Sequence, residues 1–217
     1  MADTKGNQTA WIATVRSLQA LYSVVAGAAL GLAINGFVDP TREAVIPTHA
    51  LPTLFALVIT LVPFYHGTLR HFESVYVEEP RRTGESERSG RLFLDFALLF
   101  VEGCLLLAAA KLVERPVAFT VALSLVCLVD VIWGYTGLLI SNQVRASTTW
   151  ARINTMASTA FAGLVWFQLA VEPDAWVLPI LVLVVSVIRT LIDYVTGWGF
   201  YFPSPTETSG GAPSALD

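Results

Sequence analysis

Glu102, Asp130, Arg189 and Asp193 are the residues of this chain best placed to do chemistry, because each interrupts a long apolar run. Carboxylates and a guanidinium away from water can pair and lock segments together. They can also hold a proton or small cation on a carboxylate left over, or capture an anionic group on the guanidinium. An arginine does not deprotonate to escape a low dielectric, whereas a carboxylate can take up a proton instead. Arg189 therefore needs an acid, either Asp193 one turn along its own helix or Asp130 or Glu102 across helices. Asp95, His66 and Arg70 lie nearer the ends of neighbouring apolar runs and complete the candidate binding set. The acids Asp95, Glu102, Asp130 and Asp193 outnumber Arg189. At least one is left to bind a proton or a cation unless Arg70 or His66 reaches it.

Spacing places these side chains on shared helix faces. Ser186, Arg189, Asp193, Thr196 and Gly197 form one stripe, and Cys127, Asp130, Trp133, Gly134, Gly137 and Ser141 another. Asp95 and Glu102 are seven apart and share a face, as do His66, Arg70 and Glu73. A charge facing lipid at the centre of a helix costs about 2.5–3.5 kcal/mol even on the lenient insertion scale. The stripes must therefore look into a bundle. At 1.5 Å per residue, Arg189 and Asp130 lie roughly 20 Å from the start of their runs, and Glu102 roughly 16 Å from the start of its own. Allowing for the alternating direction of the runs, the three arrive at nearly one level, with Asp193 a turn away.

The elements that must hold them are membrane spans. The chain has 217 residues, 54% hydrophobic and 14% charged, with a mean hydropathy of +0.62, whereas a soluble domain carries about 25% charged residues. Six apolar runs reach the ~20 residues that cross a bilayer: about 17–38, 51–71, 92–113, 116–140, 153–171 and 176–198. The predicted architecture is thus all-α, a polytopic membrane protein with six transmembrane helices in one bundle over 17–202. A short N-terminal segment (1–16) and a disordered tail (203–217) flank it. The first run is long, lacks a cationic lead-in and is read as a retained helix, not a signal peptide.

With both termini cytoplasmic, that side receives Lys5, Arg16, Arg70, Arg81, Arg82, Arg88, Arg91, Arg145 and Arg152, against Arg42, Lys111 and Arg115 opposite. This asymmetry predicts a multi-pass protein of the cell membrane with both ends inside. Trp150, Trp176 and Trp198 fall at span ends, as an aromatic belt requires. The connector from Glu73 to Arg91, rich in both signs of charge, reads as a solvated, partly flexible loop.

Three short segments resemble one another: Val38-Asp39-Pro40, Val113-Glu114-Arg115-Pro116 and Val171-Glu172-Pro173. They raise the expectation of three helical-hairpin repeats. Ser23, Gly27, Gly31 and Asn35 on the first span, and Thr155, Ser158, Thr159, Ala162 and Gly163 on the fifth, make small-residue stripes. These are expected to pack against other helices of the same chain, so those two spans are assigned to scaffolding.

Enzyme signatures are nearly absent. His66 and His71 are five apart, about 140° around a helix, and cannot chelate one metal together. There is no Gly-x-Ser-x-Gly, Cys-x-x-Cys or Walker sequence, and no metal or other cofactor is implied. Cys104 and Cys127 sit inside apolar runs, which argues against a disulfide framework. A net charge of −4 offers no footprint for nucleic acid, and the lipid bilayer is the expected partner. The leading expectation is a channel or transporter for a small cation or proton, with His66 and Arg70 lining a vestibule. The first rival is a non-catalytic membrane scaffold or effector that assembles with itself or a partner. The second is a lipid-modifying enzyme using His66 and a nearby acid.

Overall fold

The computed structural model describes residues 2–38, 48–78, 89–140 and 144–203. The expected tail beyond 203, the acid-proline pair at 39–40 and most of the charged connector (79–88) lie outside the described residues. The rest is helical, with no strand among the described residues. Helix α1 runs Ala2–Val38 and α2 Leu51–Glu73, entered through a 3-10 turn at Thr48–Ala50 and extended by a π-helical stretch at Ser74–Glu78. Then come α3 (Ser89–Lys111), α4 (Pro116–Ile140), α5 (Val144–Val171), α6 (Val177–Thr196) and the short α7 (Trp198–Tyr201).

The boundaries follow local chemistry. Proline is tolerated in the first helical turn, where its missing N–H has no partner to lose, and Pro52 and Pro116 open α2 and α4 there. Pro63 sits inside α2, buried against neighbouring helices, and the helix continues through it. Glu172 ends α5 in the left-handed region (φ 48°), a conformation costly for a residue with a Cβ, and Pro173 after it prevents the helix from resuming.

Among the described residues, five stretches are long and apolar enough to cross a bilayer: Thr9–Asn35, Leu51–Glu78, Gly90–Lys111, Pro116–Thr136 and Val177–Thr196. By length and composition this is a multi-pass membrane protein. Helix α5 is not among the five, although it was expected as a span. Asn154, Thr155, Ser158, Thr159 and Gln168 dilute its apolar character.

Six long helices form a closed ring in the order α1, α3, α4, α5, α6, α2 and back to α1, with α4 and α5 the most extensive pair. Large apolar side chains point outward, among them Phe93, Trp166 and Val195, each more than 70% exposed. Phe64, Leu106, Phe119, Leu123, Phe161 and Val182 fill the centre. In a bilayer this inner packing is held by close contact, since lipid tails solvate apolar groups as well as the interior does.

Three expectations meet a different outcome. Val75, Tyr76 and Val77 are buried, so the connector's first residues belong to the bundle and not to a solvated loop. The small-residue stripes divide: Ser23 bonds Tyr65 of α2 and Ser158 bonds Ser124 of α4, but their glycines face outward, and a Cβ added at Gly27, Gly31 or Gly163 would meet no atom within 4 Å. On α1 it is Ala26, Ala29 and Ala33 that are buried. The ring also lends no support to the three-hairpin repeat. The second and third hairpins pass round it as α3–α4 and α5–α6, whereas the first is reversed, with α1 rather than α2 next to α3.

Candidate functional site

Arg189, Asp130, Glu102 and Asp193 are each 4% exposed or less and meet inside the ring. The stripe that carries Arg189 and Asp193 is the buried face of α6, continuing Leu178, Val182 and Ser186. Arg189 does not touch Asp130 directly. Its Nε and Nη2 donate to the side-chain oxygen of Asn154 on α5 (3.2 and 2.9 Å), and the Asn154 amide donates to Asp130 Oδ2 (3.0 Å). The i+4 partner Asp193 lies 3.7 Å from Arg189 Nη2, an ion pair without hydrogen-bond contact. The guanidinium also sits 4.3 Å above the Phe64 ring of α2, in cation–π contact.

Around this axis the donors are few. Glu102 on α3 accepts from Tyr22 of α1 (2.6 Å), and Asp193 accepts from Tyr201 of α7 (2.9 Å). Burial, and next the Asp193 carboxylate, hold the Tyr201 phenol well above its ordinary range, so it acts here as a donor. Glu102 lies within interaction range of Asp130. Asp130 Oδ1, Arg189 Nη1, Ser186 Oγ and Thr60 Oγ1 are buried with no hydrogen-bond partner among the described residues. Three carboxyl groups and one guanidinium therefore share one buried network reached from α1, α2, α3, α4, α5, α6 and α7.

Asp95 belongs elsewhere. Its Oδ2 accepts from Tyr76 (2.6 Å) and contacts His71 Nε2 (2.9 Å), and its Oδ1 accepts from the Trp133 indole (2.9 Å). The imidazole beside an acid is thus His71 and not His66. His66 packs instead among Tyr194, Tyr201 and Phe202, with its Nδ1 3.3 Å from the Tyr194 hydroxyl. Arg70 forms a two-pronged pair with Glu78 (2.7 and 3.0 Å), and its Nε donates to the Phe200 carbonyl (3.0 Å). His66 and Arg70 border the α7 end of the bundle, and Tyr201 connects that end to the charged axis through Asp193.

Asn154, Tyr22 and Tyr201 are network residues absent from the sequence-derived set. Asn154 and Tyr22 come from the two spans assigned to scaffolding. A buried phenol seeks an acceptor, which is a signal for Tyr22 and Tyr201, whereas the Asn154 amide is one polar group among Thr155, Ser158, Thr159 and Gln168 on its run. No three His, Cys, Asp or Glu side chains among the described residues converge as a metal site would. The fold and the network together define a multi-pass, all-helical membrane protein with a buried, acid-rich centre. Comparison with family models, with curated proteins and with solved structures finds no match for this chain.

Proposed function

We propose that the protein moves a proton or a small cation across the membrane, with Glu102, Asp130 and Asp193 as the groups that carry it. The observation behind this reading is the charge balance of the network: three carboxyl groups against a single guanidinium, buried in one connected cluster. Helix locking needs one acid per arginine, and burying further unpaired charge is costly. A proton or cation supplies the missing positive charge. A proton on Glu102 would also provide the donor that Asp130 Oδ1 lacks, and a proton on Asp130 would make that oxygen a donor in its turn. Arg189 is the fixed charge that prevents all three acids from being neutralised together.

In this reading α5 is the sixth crossing. Its polar residues are compatible with a span because Asn154 is buried and Ser158 exchanges hydrogen bonds with Ser124 of α4 (3.0–3.1 Å). Six crossings return both termini to one side, and the Lys/Arg asymmetry makes that side cytoplasmic. Terminal reporters on opposite faces of the membrane would remove the sixth crossing.

Reconstituted protein tests the function. Proteoliposomes under an imposed pH gradient or membrane potential should show proton or cation flux, reduced at least about tenfold in Asp130→Asn and Glu102→Gln. Parent protein without flux, indistinguishable from both variants, would overturn the reading.

A further inference from the structure

We propose that α7 is a plug closing one end of the bundle over the charged cluster, with Tyr201 as its seal. Tyr201 lies beyond the last residue of the α6 span yet is 5% exposed. Two glycines make room for it. A Cβ on Gly67 of α2 would stand 3.3 Å from the Tyr201 hydroxyl and 3.4 Å from the Trp150 ring. A Cβ on Gly197 would come 3.0 Å from the Tyr201 ring and 2.9 Å from the Asp193 carbonyl. Tyr194 and His66 close the sides of this notch, with ring centroids 4.6 and 5.0 Å from that of Tyr201. At the bottom the hydroxyl reaches Asp193.

What holds α7 down is local and separable. One hydrogen bond joins Tyr201 to Asp193, one joins Arg70 to the Phe200 carbonyl, and Glu78 fixes Arg70 in turn. Trp198 of this four-residue helix is 62% exposed, and Phe202 just after it 46%. Such a short element, tied at few points, opens at far lower cost than the long helices beneath it. Lifting it withdraws a donor from Asp193 and uncovers the side chain that leads to Arg189. This inference rests on the cluster exchanging a proton or cation with water. It adds the end at which exchange occurs and the side chain that controls it.

The test uses full-length protein in proteoliposomes carrying Cys104→Ser and a reporter, Thr68→Cys, with the same protein lacking the reporter as the blank for Cys127. Thr68 is 1% exposed, adjoins Gly67 and faces Tyr22 of the cluster. A water-soluble thiol reagent should label the reporter at least about tenfold faster in Tyr201→Ala than in the parent, consistent with losing one charge-assisted hydrogen bond and a ring contact. Tyr201→Phe, which still fills the notch, should stay within about threefold, and Arg70→Gln, which cuts only the tether, should fall between. Unchanged labelling in both Tyr201→Ala and Arg70→Gln overturns the plug, whatever the flux. Faster labelling with no flux in any variant keeps the plug and overturns the transport reading.

Discussion

Asp95 and Asp130 are both aspartates buried in the same ring, and they are treated in opposite ways. Asp95 meets three partners, His71, Tyr76 and Trp133, shared over both oxygens. Asp130 accepts one hydrogen bond, from Asn154, and its other oxygen has no donor among the described residues. A carboxylate supplied on both sides has its charge held in place by the protein's own donors. A carboxylate left short, beside two further acids and one guanidinium, gains from a proton or cation arriving from outside. Under the proposed transport reading, this difference makes Asp95 a joint and Asp130 a carrier within one bundle.

Removing the joint should give the largest effect. Asp95→Ala strands the buried Trp133 N–H and Tyr76 hydroxyl and removes the partner of the half-buried His71 imidazole. It should lower unfolding stability by about 3–5 kcal/mol, measured by thermal or denaturant unfolding in detergent. Asp130→Asn should change stability by no more than about 1 kcal/mol, since it removes an under-supplied charge and retains an acceptor for Asn154. If the two substitutions cost the same, the contrast fails and Asp130 is a joint as well.

Asn154→Ala should fall between them. It takes away both hydrogen bonds Arg189 makes to Asn154 and the single donor to Asp130, so about 2–3 kcal/mol of stability should go. The double variant Asn154→Ala/Asp130→Asn measures coupling: a cost well below the sum of the singles locates the relay between these residues. Additive costs would dissolve the network into separate contacts.

How much of this was legible beforehand depends on which way each helix is rotated. The stripe of Arg189 and Asp193 was plain, because the rest of α6 is mostly apolar and its two charges share one face. Asp130 and Glu102 were found for the same reason. The lower part of α2 was not, since Tyr65, His66, Arg70, His71 and Glu73 spread polar groups around most of its circumference. Periodicity there could not say whether His66 or His71 would face Asp95. Asn154 was hidden differently: hydroxyl and small residues surround it on α5, so its amide reads as one more polar neighbour, and only the α4–α5 and α5–α6 contacts show what it bridges.

The smallest effects test the same lesson on α1, where Ala26, Gly27, Ala28 and Ala29 present small residues on nearly every side and no face announces itself. The close approach between α1 and α3 occurs at Gly103, where an added Cβ would lie 2.9 Å from Val25 Cγ1. Gly103→Ala should therefore cost about 1–2 kcal/mol, because the β-branched valine cannot swing aside without leaving its preferred rotamer. Gly27→Ala and Gly31→Ala meet open space. Each should be neutral or gain a few tenths of a kcal/mol from helix propensity in the same unfolding assay. Should Gly27→Ala be costly while Gly103→Ala is silent, the outward glycine face must be covered by something other than lipid. A second copy of the chain, read from the protein's mass in detergent, would then be the first thing to look for.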